Sequence, residues 1–141
     1  MTRYILTSIR TGNELDVTYN DEGFLWAVSL NGNYSLDEHT AVWQLMPTQK
    51  ADMQKLSIKN VHIKEVMPDL SFERFYKAYK YPVDRKRAEA IWNRMTDTNR
   101  MKAIECIAEY DKYLGRSGIA KAYPKTFLGN EYFHTDYKKL K

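Results

Sequence analysis

The residues best placed to do chemistry are eight cations in the second half of the chain: Lys77, Lys80, Arg85, Lys86, Arg87, Arg94, Lys121 and Lys125. Lys77 and Lys80 lie off an aromatic stripe of helical spacing, and Arg85, Lys86 and Arg87 are consecutive. Cations at the start of a helix oppose its macrodipole by ~0.3–1 kcal/mol each, so three together there gain nothing in folding. A phosphate at that terminus would remove the penalty, because backbone N–H groups and side chains would face one anion. The competing reading is a solvated charge run. Lys and Arg spaced in this way contact phosphates and carry no base readout, so any DNA binding is expected to be mostly non-specific and salt-sensitive. Tyr81 and Tyr123 are aromatics on which a base could stack.

Other chemistries have little behind them. His39, His62 and His134 are far apart, and zinc needs three or four convergent donors. Cys106 is the only cysteine and has no nearby His or Gly-rich turn to activate it. It excludes an intramolecular disulfide and suits a reducing compartment. Glu105, Glu109 and Lys112 have the spacing of a solvated helix flank. Neither GxxxxGK[ST] nor GxGxxG occurs, so nucleotide hydrolysis and dinucleotide binding have no motif. The expectation is a chain with no catalytic residues, no metal and no cofactor.

The elements that must position the cations follow from hydrophobic period. Phe72, Phe75, Tyr76 and Tyr79 fall at i, i+3, i+4 and i+7, one stripe of a helix that Pro82 stops. Asp84 is placed to cap a second helix, where Ala88, Ile91, Trp92 and Met95 repeat the spacing. Thr96 or Asp97 begins a third and longer one, with Met101, Ile104, Ala108 and Leu114 as its inner positions and Gly115 and Gly118 at its end. Tyr123-Pro124 opens a tail in which Phe127, Leu128, Tyr132 and Phe133 form a hydrophobic clasp. Residues 71–141 therefore read as a basic three-helix module.

Residues 1–66 read differently. Tyr4 to Arg10 is a strand, and Leu15, Val17 and Tyr19 alternate with polar residues as a second. Gly23 supplies a positive φ for the next turn. Phe24, Trp26, Val28 and Leu30 alternate as a third strand, predicting an unusually aromatic buried face. Ser35 or Asp37 caps a helix with Leu36, Val42, Trp43 and Met46 inward, and Pro47 ends it. Thr48 caps another through Leu56, and Val61, Ile63 and Glu65 mark a fourth, edge strand. Met67-Pro68-Asp69-Leu70 is the linker, and the whole is an α+β chain with an N-terminal antiparallel sheet.

Charge separates the halves. Up to Leu70 there are 6 Lys/Arg against 9 Asp/Glu, and from Ser71 onward 16 against 9, a net of −3 against +7. The two surfaces are expected to meet different partners. No apolar window approaches the ~20 residues of a membrane helix, which predicts a cytoplasmic protein with no membrane partner.

The second half resembles the C-terminal module of phage and prophage replication-initiation and helicase-loader-associated proteins. The resemblance lies in the order of Phe72, Phe75, Tyr79, Lys86 or Arg87, Ala88, Trp92, Ala103, Ile107, Tyr110, Leu114, Pro124, Thr126, Phe127, Leu128 and Phe133, with Gly129 and Phe133 standing where Asn and Trp are common. It implies a host-cell setting and a non-enzymatic accessory factor of DNA replication that binds DNA, a host or phage replisome protein, or both. The first half is similar to short phage proteins of unassigned role. The alternative is a phage inhibitor that blocks a host nucleic-acid-handling or defence complex by protein contact alone.

Overall fold

The computed structural model describes residues 1–140 and divides into two compact units, Met1–Val66 and Met67–Lys141. The fold is α+β.

The first unit is built on strands β1 (Thr2–Ser8), β2 (Glu14–Tyr19), β3 (Leu25–Asn31) and β4 (Val61–Glu65). They form one antiparallel sheet in the order β3-β2-β1-β4, which leaves β4 at an edge. Tyr4 and Leu6 of β1 and Leu15, Val17 and Tyr19 of β2 are buried together with Val42, Met46 and Met53. The period of two in β2 places its apolar side chains on that one face.

Strand β3 departs from the simple alternation. Tyr19 pairs with Leu25 but Thr18 pairs with Ala27, so Trp26 is an extra residue in a β-bulge. One inserted residue reverses the phase of everything before it. Leu25, Val28 and Leu30 pack against the core, whereas Phe24 and Trp26 are 52% and 64% exposed. The aromatic buried face expected of Phe24, Trp26, Val28 and Leu30 does not form. Gly23, at φ +88°, makes the turn that precedes the bulge.

Helix α1 (Leu36–Leu45) starts with a capping box: Ser35 Oγ accepts from the Glu38 N–H while the Glu38 carboxylate accepts from the Ser35 N–H. Val42 and the following Met46 are its buried residues. Leu36 and Trp43, expected inside, are exposed: Leu36 begins the first turn and Trp43 points one residue-step (~100°) round from Val42. Helix α2 (Lys50–Met53) is a single turn after Gln49, shorter than the Thr48–Leu56 span expected. The Leu25 N–H donates to Thr48 O at 2.8 Å and the Lys50 N–H to Gly23 O at 2.8 Å, so the backbone there is committed to strand-like pairing before a helix can begin.

Among its described residues the second unit holds four α-helices where three were expected: α3 (Phe72–Tyr79), α4 (Arg85–Arg94), α5 (Asp97–Ser117) and α6 (Pro124–Gly129), with a 3-10 turn at Tyr132–His134. The expected clasp is α6 and this turn. Ser71 caps α3 and Thr96 caps α5, each accepting from the N–H three residues on. Gly115 lies inside α5, and Gly118 in the left-handed conformation ends it.

The core is an aromatic stack. Phe75 lies parallel to Trp92 with ring centroids 5.0 Å apart, and Tyr79 and Tyr110 each meet Phe127 at 5.1 Å. The polar tips find backbone partners: Trp92 Nε1 donates to Leu70 O at 3.1 Å and Tyr79 Oη to Ala122 O at 2.6 Å. Helix α5 contributes Met101, Ala103, Ile107 and Tyr110; Ile104 and Leu114 are half-buried and Ala108 is exposed. The true stripe is therefore displaced from the Met101, Ile104, Ala108, Leu114 set. The bulk of Tyr110 turns that side of the helix toward Tyr79, Phe127 and Tyr137.

Candidate nucleic-acid interface

The eight cations separate into two groups according to what holds them. In the first group the charge is spent inside the fold. Arg85 forms an ion pair with Glu73, and its guanidinium lies over the rings of Phe72 and Tyr76 at 5.4 and 5.1 Å. It therefore ties the start of α4 to the first turns of α3 by charge and by cation–π contact. Lys121 Nζ donates to Tyr79 O at 2.6 Å and to Asp111 at 2.7 Å, 4.3 Å from the Tyr79 ring centroid. This is a cation at the negative end of α3, where the last carbonyls have no helical partner. Lys125 pairs with Asp84 at 3.0 Å.

Asp84 holds the N-cap position of α4, but at φ 53° its side chain makes no capping hydrogen bond. Capping needs an extended backbone that carries the side-chain oxygen beneath the next N–H groups, and the left-handed conformation turns it away. The carboxylate meets Lys125 instead, so the expected helix cap is a link to α6.

The second group, Lys77, Lys80, Lys86, Arg87 and Arg94, is exposed. Lys77 is in the last turn of α3 and Lys80 is its left-handed C-cap. Lys86 is in the first turn of α4. Among the described residues none of the five makes an ion pair.

Only part of this set is brought together. Arg87, Ala90, Ile91 and Arg94 recur at i, i+3, i+4 and i+7, so they line one face of α4. That face meets α6 along an open groove of about 420 Å³, completed by Lys125, Thr126 and Asn130. The approach is close, since a methyl at Gly129 would stand 3.5 Å from Ile91 Cδ1. The groove thus has a short apolar floor between two unpaired guanidiniums, an anchored ammonium and two neutral polar side chains. Its chemistry is that of an anion site with hydrogen-bonding walls. Lys77, Lys80, Lys86, Arg85 and Lys121 do not line it.

Thr126 and Asn130 are groove residues that cation-counting misses; their i, i+4 spacing on α6 is the signal for them. Arg100 and Arg116 are cations of a different use. Arg100 Nε donates to Trp92 O at 3.0 Å, and its Nη2 donates to Trp92 O at 2.9 Å and to Asn93 O at 3.2 Å, closing the end of α4. Arg116 donates to Tyr137 O at 2.9 Å. Charge alone therefore overstates the surface available to a ligand.

Burial and the nearby Glu109 push the Cys106 thiol up to about 11, away from the thiolate a nucleophile needs. Among the described residues no group of three or more His, Cys, Asp or Glu is placed to hold a metal ion, and no helix is long and apolar enough to cross a membrane.

Residues 67–131 match the family model of the Legionella vir region protein LvrA C-terminal domain. The match starts at the first residue of the second unit and contains α3 to α6 with all eight cations. No curated protein and no solved structure matches the chain. The resemblance to replication-initiation modules finds no counterpart in these comparisons; the helical unit is similar to the LvrA C-terminal domain.

Proposed function

We propose that this chain is a non-enzymatic accessory factor that binds nucleic acid through its helical unit. The observation that carries the reading is the groove between α4 and α6, where Arg87 and Arg94 stand exposed and unpaired beside Lys125. Unpaired guanidiniums on a shared face suit phosphate oxygens, which carry no sequence information. Binding is mostly non-specific in sequence. The order of aromatics and cations shared with phage replication modules makes DNA replication in a host cell the setting we favour, with a host or phage replisome protein as the second partner. The acidic first half is the part that would meet that protein.

The experiment is a salt titration of binding to random-sequence DNA. Each phosphate contact contributes ~0.7–0.9 to the log–log slope. Changing Arg87→Gln and Arg94→Gln together should flatten the slope by roughly twice that amount, whatever the sequence. An unchanged slope refutes the groove as the contact surface.

A second reading has its own observation. Phe24, Trp26, Leu36 and Trp43 of the first unit are all more than half exposed, and large apolar side chains in water are the material of protein interfaces. A phage-encoded inhibitor of a host nucleic-acid-handling or defence complex, acting by protein contact alone, would use them. Absence of DNA binding at low salt selects this reading over the first.

A further inference from the structure

Tyr123 does not take part in the solution the unit applies to its buried tyrosines. Tyr79, Tyr110 and Tyr137 are buried, and their hydroxyls meet backbone: Tyr79 donates to Ala122 O, Tyr110 accepts from the Ala122 N–H, and Tyr137 donates to Tyr132 O. Tyr123 is 44% exposed and lies outside the buried cluster. Its ring meets that of Tyr81 at 5.5 Å between centroids, tilted by 39°. Each tyrosine precedes a proline, Pro82 or Pro124, which restricts its backbone to extended conformations; Tyr123 has φ −63° and ψ 151°. Tyr81 packs against the buried cluster and backs the ring of Tyr123, so the pair is an aromatic step whose outer member faces water.

Its position relative to the groove gives it a use. Lys125 stands two residues after Tyr123 and is bonded to Asp84, three residues after Tyr81. The same Lys125 lines the groove with Arg87 and Arg94. Both tyrosines are thus within three residues of the Asp84–Lys125 ion pair, whose lysine lines the groove. A duplex would engage only the groove, since its bases are stacked away. An unpaired strand presents both phosphates and open base faces.

We infer that the ligand of this face is single-stranded nucleic acid, with a base stacked on Tyr123 against Tyr81 and the adjoining phosphates in the Arg87–Arg94–Lys125 groove. The inference rests on the nucleic-acid reading proposed above and adds to it the strand state and the base-stacking residues.

The test uses the full chain and two probes, a fluorescent 15-nucleotide oligo-dT and a duplex of the same length, followed by anisotropy at low salt. The wild type should bind the single strand more tightly. Tyr123→Leu should weaken single-strand binding about 5- to 150-fold, the range of one lost base stack, and leave duplex binding and the thermal midpoint unchanged. Tyr123→Phe, which keeps the ring, should retain single-strand affinity, which separates stacking from a hydroxyl contact. Should Tyr123→Leu lower the thermal midpoint, the ratio of single-strand to duplex affinity, measured well below that midpoint, takes the place of the absolute loss. Equal loss on both probes, or no loss on either, overturns the single-strand assignment; if Arg87→Gln then still weakens duplex binding, the groove reading survives it. No binding of either probe by the wild type overturns both.

Discussion

The two units spend similar aromatic material in opposite ways. In the helical unit Phe72, Phe75, Tyr79, Trp92, Tyr110, Phe127, Phe133 and Tyr137 form one buried cluster. In the sheet unit Tyr4 and Tyr19 are buried, but Phe24, Trp26 and Trp43 face water. Of the ten large apolar side chains most exposed among the described residues, seven belong to the sheet unit, which places its spare apolar surface there. The cause is geometric. A helical stripe keeps its phase over several turns, so Phe72, Phe75 and Tyr79 of α3 and Ala88 and Trp92 of α4 all reach one buried cluster. A strand alternates with a period of two, and a single bulge sends an entire segment to the other face. The charges divide in the reverse sense. The basic unit uses Arg85, Arg100, Arg116 and Lys121 to hold its own helices and backbone carbonyls, and presents a smaller cationic surface than its composition suggests.

The strongest way to break this contrast is to remove one tryptophan from each unit. Trp92→Ala should cost ~3–5 kcal/mol, because it empties the centre of the aromatic stack and leaves Leu70 O without its donor. Trp26→Ala and Trp43→Ala should each stay within about 0.5 kcal/mol. Denaturant unfolding of the three variants reads the difference, and a costly Trp43→Ala would mean that the helix α1 surface is covered in solution.

Alkaline pH probes both cores at once. Burial pushes the hydroxyls of Tyr19 in the sheet unit and Tyr137 in the helical unit up to about 12, from an ordinary value of 10.0. The unfolded chain therefore releases these protons first, so it binds fewer protons than the folded chain between pH ~10 and ~12. Stability is full below the unfolded value and is lost as pH rises through that window, by on the order of 2 kcal/mol for each phenol. Denaturation midpoints at pH 8 and pH 11, with tyrosinate absorbance as the second readout, check the sign; a midpoint that rises with pH contradicts it.

Within the helical unit, Lys121→Met should destabilise by about 1.5–3 kcal/mol, since it removes a charged donor from the Tyr79 carbonyl. Arg85→Ala should cost about 1 kcal/mol through lost stacking on Phe72 and Tyr76. Arg87→Ala, two residues along the same helix, should be neutral in folding. These three thermal melts separate cations that hold the fold from cations left for a ligand. The smallest effect is chemical: the half-buried Cys106 should react only slowly with a thiol reagent at pH 7.5, and Trp92→Ala should accelerate labelling while Trp26→Ala does not.

Much of the helical unit was legible. Regular period located α3 and α4, Ser71 and Thr96 have the chemistry of caps, and Pro124 at the first position of α6 has a φ suited to starting a helix. The candidate groove was legible only in part. Arg87 and Arg94 were visible as cations, and their seven-residue separation placed them on one side of α4. That Lys125 joins them, while Lys80 and Lys86 do not, depends on how α6 packs against α4. Such contacts lie some thirty residues apart in sequence, and no local pattern encodes their approach.

What the amino-acid sequence determined by itself was therefore the local and the additive: the aromatic stripe of α3, the strands β1, β2 and β4, the turn at Gly23, the charge asymmetry and the absence of a nucleotide-binding motif. These depend on neighbours within a few residues or on simple sums. Tertiary structure alone decided the bulge at Trp26, the outward turn of Trp43, the diversion of Asp84 from its helix to Lys125, and which cations remained unpaired. Each is a competition between partners distant along the chain, and the winner is set by geometry and desolvation in the folded protein rather than by residue type.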